Sequence, residues 1–145
     1  GVQPFLLAPA MNAIIGQRLV RKVCQYCKTE LTLDLETLER VKKLIMNIPP
    51  NSGETIPDVN TLKFYTGKGC DKCNHIGYKG RIGIYEIFTK NPEIEALTLS
   101  GNVSEYQMKD ITHRAGMLTM AQDGILKALD GITSVAEVMR VAVVD

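Results

Sequence analysis

The chain has 145 residues, 45% of them apolar, with 17 basic and 16 acidic side chains and a formal charge of +1 at neutral pH. That is enough apolar material for a packed core and excludes a disordered chain, while the charge balance excludes an overall field that would draw in a nucleic-acid backbone. Residues 1–16 are uncharged, but Gln3, Pro4, Pro9 and Asn12 interrupt them and the run is too short to span a bilayer. No basic segment with a cleavage site opens the chain, which argues for a cytoplasmic protein. The first residue is Gly and leads straight into an apolar stretch, so a piece of a longer protein is expected.

Residues 4–13 mix Leu, Ala and Met without Gly, which suits a short helix with Pro4 in its first turn. Ile14 to Val23 is richer in β-branched residues and reads as a strand running into the first cysteine pair. From Asp34 to Met46, Leu35, Leu38, Val41, Leu44 and Ile45 recur at three- and four-residue steps, and the charged residues fall largely elsewhere, which predicts an amphipathic helix. Asn47 to Asn60, with three prolines and few large apolar groups, is expected to be a flexible surface loop. Leu62 to Thr66 reads as a short strand, and Gly67 to Gly80 as a glycine-rich turn with the second cysteine pair. Arg81 to Thr89 then puts Ile82, Ile84, Tyr85, Ile87 and Phe88 on both faces of a strand, as for one covered on two sides.

The remainder is punctuated as helices. Asn91 and Pro92 form an N-cap and a first helical position, and Gly101 stands just past the expected stop. Ser104 with Gln107, Thr119 with Gln122 and Ser134 with Glu137 each offer a capping box, and Val103 with Met108 a hydrophobic staple for the first. A small C-terminal helical bundle is the expectation.

All four cysteines fall in two Cys-x-x-Cys pairs, Cys24 with Cys27 and Cys70 with Cys73, and 42 residues separate the pairs. Such a turn sets two thiolates on one edge of a tetrahedron, so two turns close the shell around a zinc ion and leave no position for water. A closed tetrathiolate shell is structural, because catalytic zinc needs an open site. The spacing does not select zinc over iron, and two disulfides or a redox pair remain alternatives. His75, two residues past Cys73, is a further donor that a complete sulfur set does not need. The insert between the pairs has little core of its own, so chelation is expected to release about one zinc per chain and loosen residues 24–80, with the helices after residue 90 persisting.

Three stretches together carry a resemblance: Gly1 to Leu7, Asn12 to Cys24, and Gly69-Cys-Asp-Lys-Cys-Asn-His-Ile-Gly-Tyr-Lys-Gly-Arg-Ile-Gly-Ile-Tyr-Glu86, followed by Gly116 to Gly124 and Gly131-Ile-Thr-Ser134. The chain resembles the C-terminal region of the type II secretion and type IV pilus assembly ATPases over essentially its whole length. The resemblance implies an α+β fold: the end of a RecA-like motor core over residues 1–23, a tetracysteine zinc-binding subdomain over 24–80 with its flexible loop at 47–60, a returning strand over 81–90, and a helical subdomain over 91–145. It implies a parent that hydrolyses ATP with Mg2+ as a homo-hexamer. The implied partners are the neighbouring ATPase subunits and an inner-membrane platform protein, with the motor cytoplasmic and peripheral at that membrane.

The phosphate-binding loop Gly-x-x-x-x-Gly-Lys-Ser/Thr has no match in the chain, and Gly67-Lys68-Gly69 opens a cysteine knuckle rather than a helix. The catalytic boxes are expected upstream, so this chain alone is not expected to hydrolyse ATP. The resemblance also sets Arg18, Arg21, Arg81 and Glu86 on strands near nucleotide or subunit contacts, against the plainer reading of Arg81 and Glu86 as strand-surface ion pairs. Around Leu118 and Ala121 the sequence departs from the family pattern, from which basic side chains are expected there. A free-standing zinc-ribbon module for nucleic acid is the competing reading, opposed by the charge balance and by only eight aromatic residues.

Overall fold

The computed structural model describes residues 2–142; Gly1 and residues 143–145, at the outer limits of the first and last expected segments, lie outside the described residues. In chain order the elements are α1 (Pro4–Ala10), β1 (Ala13–Val23), β2 (Lys28–Leu31), α2 (Leu35–Met46), β3 (Phe64–Gly67), a 3-10 turn (Asp71–Cys73), β4 (Tyr78–Thr89), α3 (Pro92–Leu99), α4 (Glu105–Arg114), α5 (Met120–Leu129) and α6 (Val135–Val141). β1 and β4 form a long antiparallel ribbon, and β2 and β3 a short one. β4 starts three residues before the expected Arg81 because Tyr78 pairs with Val23 beyond a bulge. The extra residue sits on β4, where Gly80 takes a φ of +81° that a side chain would resist.

One core joins segments that the sequence separates. Val20 and Ile84 on one face of the long ribbon meet Val41 and Ile45 of α2, Phe64 of β3, Ile125 and Ala128 of α5, and Val135 and Val138 of α6, all buried. The core therefore crosses the expected boundaries at residues 23 and 80, and α2 packs on α5. Leu118 and Ala121, where basic residues were expected of the family, pack against or within this core. Leu35, by contrast, is 81% exposed: it lies in the first turn of α2, and the face turned inward is the one carrying Leu38, Val41 and Ile45.

The free edges of the long ribbon are covered by side chains. The Tyr85 amide on β4 donates to Asp123 Oδ2 of α5 at 2.8 Å, and the Arg21 amide on β1 donates to Glu137 Oε2 of α6 at 3.0 Å. Carboxylates here do what a neighbouring strand would otherwise do. The expectation of a strand covered on both sides is corrected, however: the ribbon face away from the core leaves Ile15, Leu19, Tyr85 and Ile87 between 37% and 62% exposed. Its apolar residues alternate onto a face that is covered only in part, by Lys127 over the Tyr85 ring at 5.1 Å and by Glu137 at Arg21.

Two further differences concern helix starts and the loop. The Thr119–Gln122 box forms, with both reciprocal bonds, but Ser104 makes no side-chain cap bond and Val103 is 49% exposed. Ser134 caps α6 through the Glu137 amide, yet the Glu137 carboxylate turns away from the cap toward Arg21 and Arg140. Residues 51–58 are mainly exposed and irregular, whereas Ile48 and Pro49 are buried, because the chain leaving α2 continues into the core before it reaches solvent. The last four helices divide instead of forming one bundle: α5 and α6 pack on each other and on the ribbon, while α3 lies mainly against α1.

Candidate metal centre and the arginine face beside it

The two cysteine pairs are brought together by the ends of four strands. β1 delivers Cys24 directly after Val23, a turn returns Cys27 to the start of β2, β3 leads out to Cys70, and the 3-10 turn ends on Cys73 just before β4. Contact is tightest where Gly67 passes Gly77: a Cβ added at Gly67 would lie 1.9 Å from the Gly77 carbonyl oxygen. The Cys24 amide donates to that same Gly77 carbonyl at 2.9 Å, and the Lys68 amide to the Cys27 carbonyl at 3.1 Å. These backbone bonds hold the two knuckles in one register.

The four Sγ atoms lie within 4.8 Å of one another. Cys24 to Cys70 is 3.9 Å, and Cys27 to Cys73 and Cys70 to Cys73 are 3.8 Å. No pair is near the ~2.05 Å of a disulfide. A regular tetrahedron with metal–sulfur bonds of about 2.3 Å has edges of about 3.8 Å, so the arrangement fits one tetrathiolate ion. Amides from Gly69 on Cys27 Sγ (3.3 Å), Cys70 on Cys73 Sγ (3.2 Å) and Gly77 on Cys73 Sγ (3.3 Å) point positive dipoles at the sulfurs, as thiolate ligands require.

Electrostatics within the cluster are uneven. Burial pushes the Cys27 thiol up to about 12 against the opposing pull of the Gly69 amide. Cys73 is also pushed up by burial, but amides from Cys70 and Gly77 and its sulfur neighbours outweigh this and bring it down to about 6. Cys73 is thus poised as a thiolate near neutral pH while burial holds the proton on Cys27, and a cation bound between them would favour its release. His75 stands outside the sulfur set, exposed, with its Nε2 3.0 Å from Asp71 Oδ1.

The other four predicted site residues do not form one site. Arg21 and Arg81 face each other across the ribbon, and with Leu19 and Arg140 of α6 they line an open cleft of about 580 Å³. Arg81 has an exposed side chain there. Glu137 lies beneath, its side chain only 3% exposed: Oε1 accepts from Arg21 Nη2 at 2.5 Å and Arg140 Nε at 3.1 Å, and Oε2 from the Arg21 amide at 3.0 Å and Arg140 Nη2 at 2.9 Å. With its four lone-pair positions filled, it has none left for Arg81. The bond from Arg21 outweighs burial and holds the Glu137 carboxyl down at about 2. The Arg21 guanidinium also lies 4.4 Å from the Tyr78 ring centroid, which supports its orientation.

Arg18 and Glu86 lie together elsewhere, on the ribbon face that bears the core, lining a small cleft with Thr119, Met120 and Val141. Glu86 is no surface ion-pair partner of Arg81; its Oε2 accepts the Met120 amide at 3.0 Å and so caps α5 at its positive end. Glu137, Arg140 and Tyr78 were not singled out as site residues from sequence. Ser134 and Glu137 carry the signature of a local capping box, and nothing in a spacing of three residues reveals a partner 116 positions away.

A closed four-sulfur knuckle at the end of a two-stranded ribbon, backed by helices, defines a tetracysteine module able to hold one metal ion, with an arginine-rich flank. The family described as type II/IV secretion system protein matches residues 1–140, and the chain belongs to it. It is 38% identical over 139 residues to the type IV pilus assembly ATPase PilB of Thermus thermophilus, covering 96% of this chain and 14% of that protein. It is 39% identical to PilB of Pseudomonas aeruginosa, over 97% of this chain and 23% of that one, and 36% identical to the type II secretion system ATPase E of Vibrio cholerae, over 97% and 25%. The chain therefore spans between about a seventh and a quarter of the length of these relatives.

Proposed function

We propose that this chain is the C-terminal, non-hydrolytic part of a hexameric ATPase that drives type II secretion or type IV pilus assembly. In this reading a zinc ion on Cys24, Cys27, Cys70 and Cys73 staples the region structurally, following the end of a RecA-like core. The observation that carries the reading is the join of a closed tetrathiolate geometry to a sequence matched from residue 1 to residue 140 by this family. ATP and Mg2+ belong to upstream segments of the parent, because no phosphate-binding loop lies in this sequence. Among the described residues no helix is long and apolar enough to cross a membrane. A cytoplasmic motor attached at the inner membrane through a platform protein accords with that.

Arg21, Arg81 and Arg140 form a face with three positive groups and one internal carboxylate. Such a face suits an anionic group from a neighbouring subunit or its nucleotide, and Arg81 is the member that Glu137 does not engage. Arg18 and Glu86 have a structural part in the reading, at the start of α5.

Two measurements test it. The coding sequence upstream of Gly1 is expected to contain Gly-x-x-x-x-Gly-Lys-Ser/Thr within roughly two hundred residues, and a start codon at residue 1 would sink the motor reading. The purified chain is expected to show no ATP turnover above a blank, and measurable turnover contradicts the placement of catalysis upstream.

A further inference from the structure

The turn between α5 and α6 sits directly on the knuckle that carries the cysteines. The Val23 amide, one residue before Cys24, donates to the Ile132 carbonyl at 2.9 Å. The Thr133 hydroxyl donates to the Arg21 carbonyl at 2.7 Å. Tyr78, next to the Gly77 that receives the Cys24 amide and donates to Cys73 Sγ, shares a 2.8 Å hydroxyl bond with Ser134, the N-cap of α6. Glu137 closes the series on the Arg21 amide and guanidinium. Gly131 leaves room for the β2–β3 ribbon: a Cβ there would meet Lys28 Nζ at 2.9 Å and Tyr65 at 3.1 Å.

These bonds tie the first cysteine pair, through β1, and the second, through Tyr78, to one short segment. We propose that residues 131–137 act as a clamp through which metal occupancy and the docking of α6 stabilise each other, with Tyr78 and Glu137 as its positioning residues. The clamp carries the arginine face with it, because Arg21 and Arg140 are both oriented by Glu137. Metal loss thus releases α6, and weakening the clamp loosens the metal, since coupling between two sites is reciprocal. This revises the expectation that all helices after residue 90 outlast chelation. It rests on the reading of the four cysteines as a metal centre.

Hydrogen exchange on the unmodified, zinc-loaded chain tests the coupling without any substitution. On chelation the amides of Val138 and Ala142, bonded to Ser134 and Val138 carbonyls, are expected to exchange about tenfold faster or more, within the 5- to 150-fold range usual for such coupling. Amides of α3, which lies away from the knuckle against α1, should change little. Unchanged protection of Val138 and Ala142 in a chain that has lost its zinc overturns the proposal and leaves the metal reading standing. A chain that never holds zinc overturns both. In the reverse direction, Tyr78→Phe and Glu137→Gln should transfer zinc to a chromogenic chelator about fivefold faster or more, with Glu93→Gln as a reference on the distant α3–α4 ion pair. Transfer at the reference rate in both variants contradicts the clamp.

Discussion

The knuckle and the core beneath it are held by different physics. Around the cysteines the buried apolar side chains are few, Val23 among them, and glycines at 67, 69 and 77 let backbones pass too closely for side chains to fill the space. In the core, Val20, Ile45, Ile84, Ile125 and Val138 are all fully buried and come from five separate elements. The first region buries little apolar surface beyond Val23 and the cysteines themselves, so its order depends on what the sulfurs hold. The second can be ordered by burial alone. The comparison teaches that the 42-residue insert between the cysteine pairs is not stabilised as a unit: its helix belongs to the core and only its ends belong to the metal.

The sharpest way to break the comparison is Cys73→Ser, which removes a sulfur whose thiolate two backbone amides favour. Bound metal should fall from about one per chain to near none by elemental analysis, while the far-ultraviolet circular dichroism of the helices is largely kept. Next in size is Ile125→Ala in the core, expected to cost about 2–5 kcal/mol in denaturant unfolding while the metal stoichiometry stays unchanged. A similar loss of metal in that variant would mean that the knuckle depends on the packing of α5 itself and not only on the turn that ties it to α6.

Acid sharpens the boundary between them. Glu137 has its carboxyl lowered from 4.5 to about 2, so its stabilisation is fully present above the unfolded value and is lost as pH falls through that window. Unfolding of a Glu137→Gln variant should therefore depend less on pH between about 4.5 and 2 than that of the unmodified chain. Smaller again is Asp34→Ala, which removes the N-cap bond to the Thr37 amide at 2.9 Å and should cost about 0.5–2 kcal/mol. Smallest is Arg114→Ala, which breaks half-exposed pairs with Glu93 and Asp110 and should leave the denaturant midpoint almost unchanged, because solvent screens both pairs.

How much of this was legible in the sequence follows from how local each signal is. The cysteine pairs, the N-caps at Asn91 and Thr119, and the amphipathic face of α2 beyond its first turn are all carried by residues within a few positions of one another, and the structure forms them as read. The start of β4 and the burial of Ile48 and Pro49 were missed because each depends on a partner far along the chain. The Glu137 network was missed for a sharper reason. Its local pattern has a complete alternative explanation as a capping box, and only the approach of α6 to the free edge of β1 shows which bond the carboxylate makes.

The most direct test is metal content measured together with backbone protection at the knuckle. The purified chain should contain one zinc, and removing it should abolish protection of the Lys68 and Cys24 amides, which are bonded to the Cys27 and Gly77 carbonyls. A metal-free chain in which both amides stay protected would contradict the staple and leave the four sulfurs without a structural role.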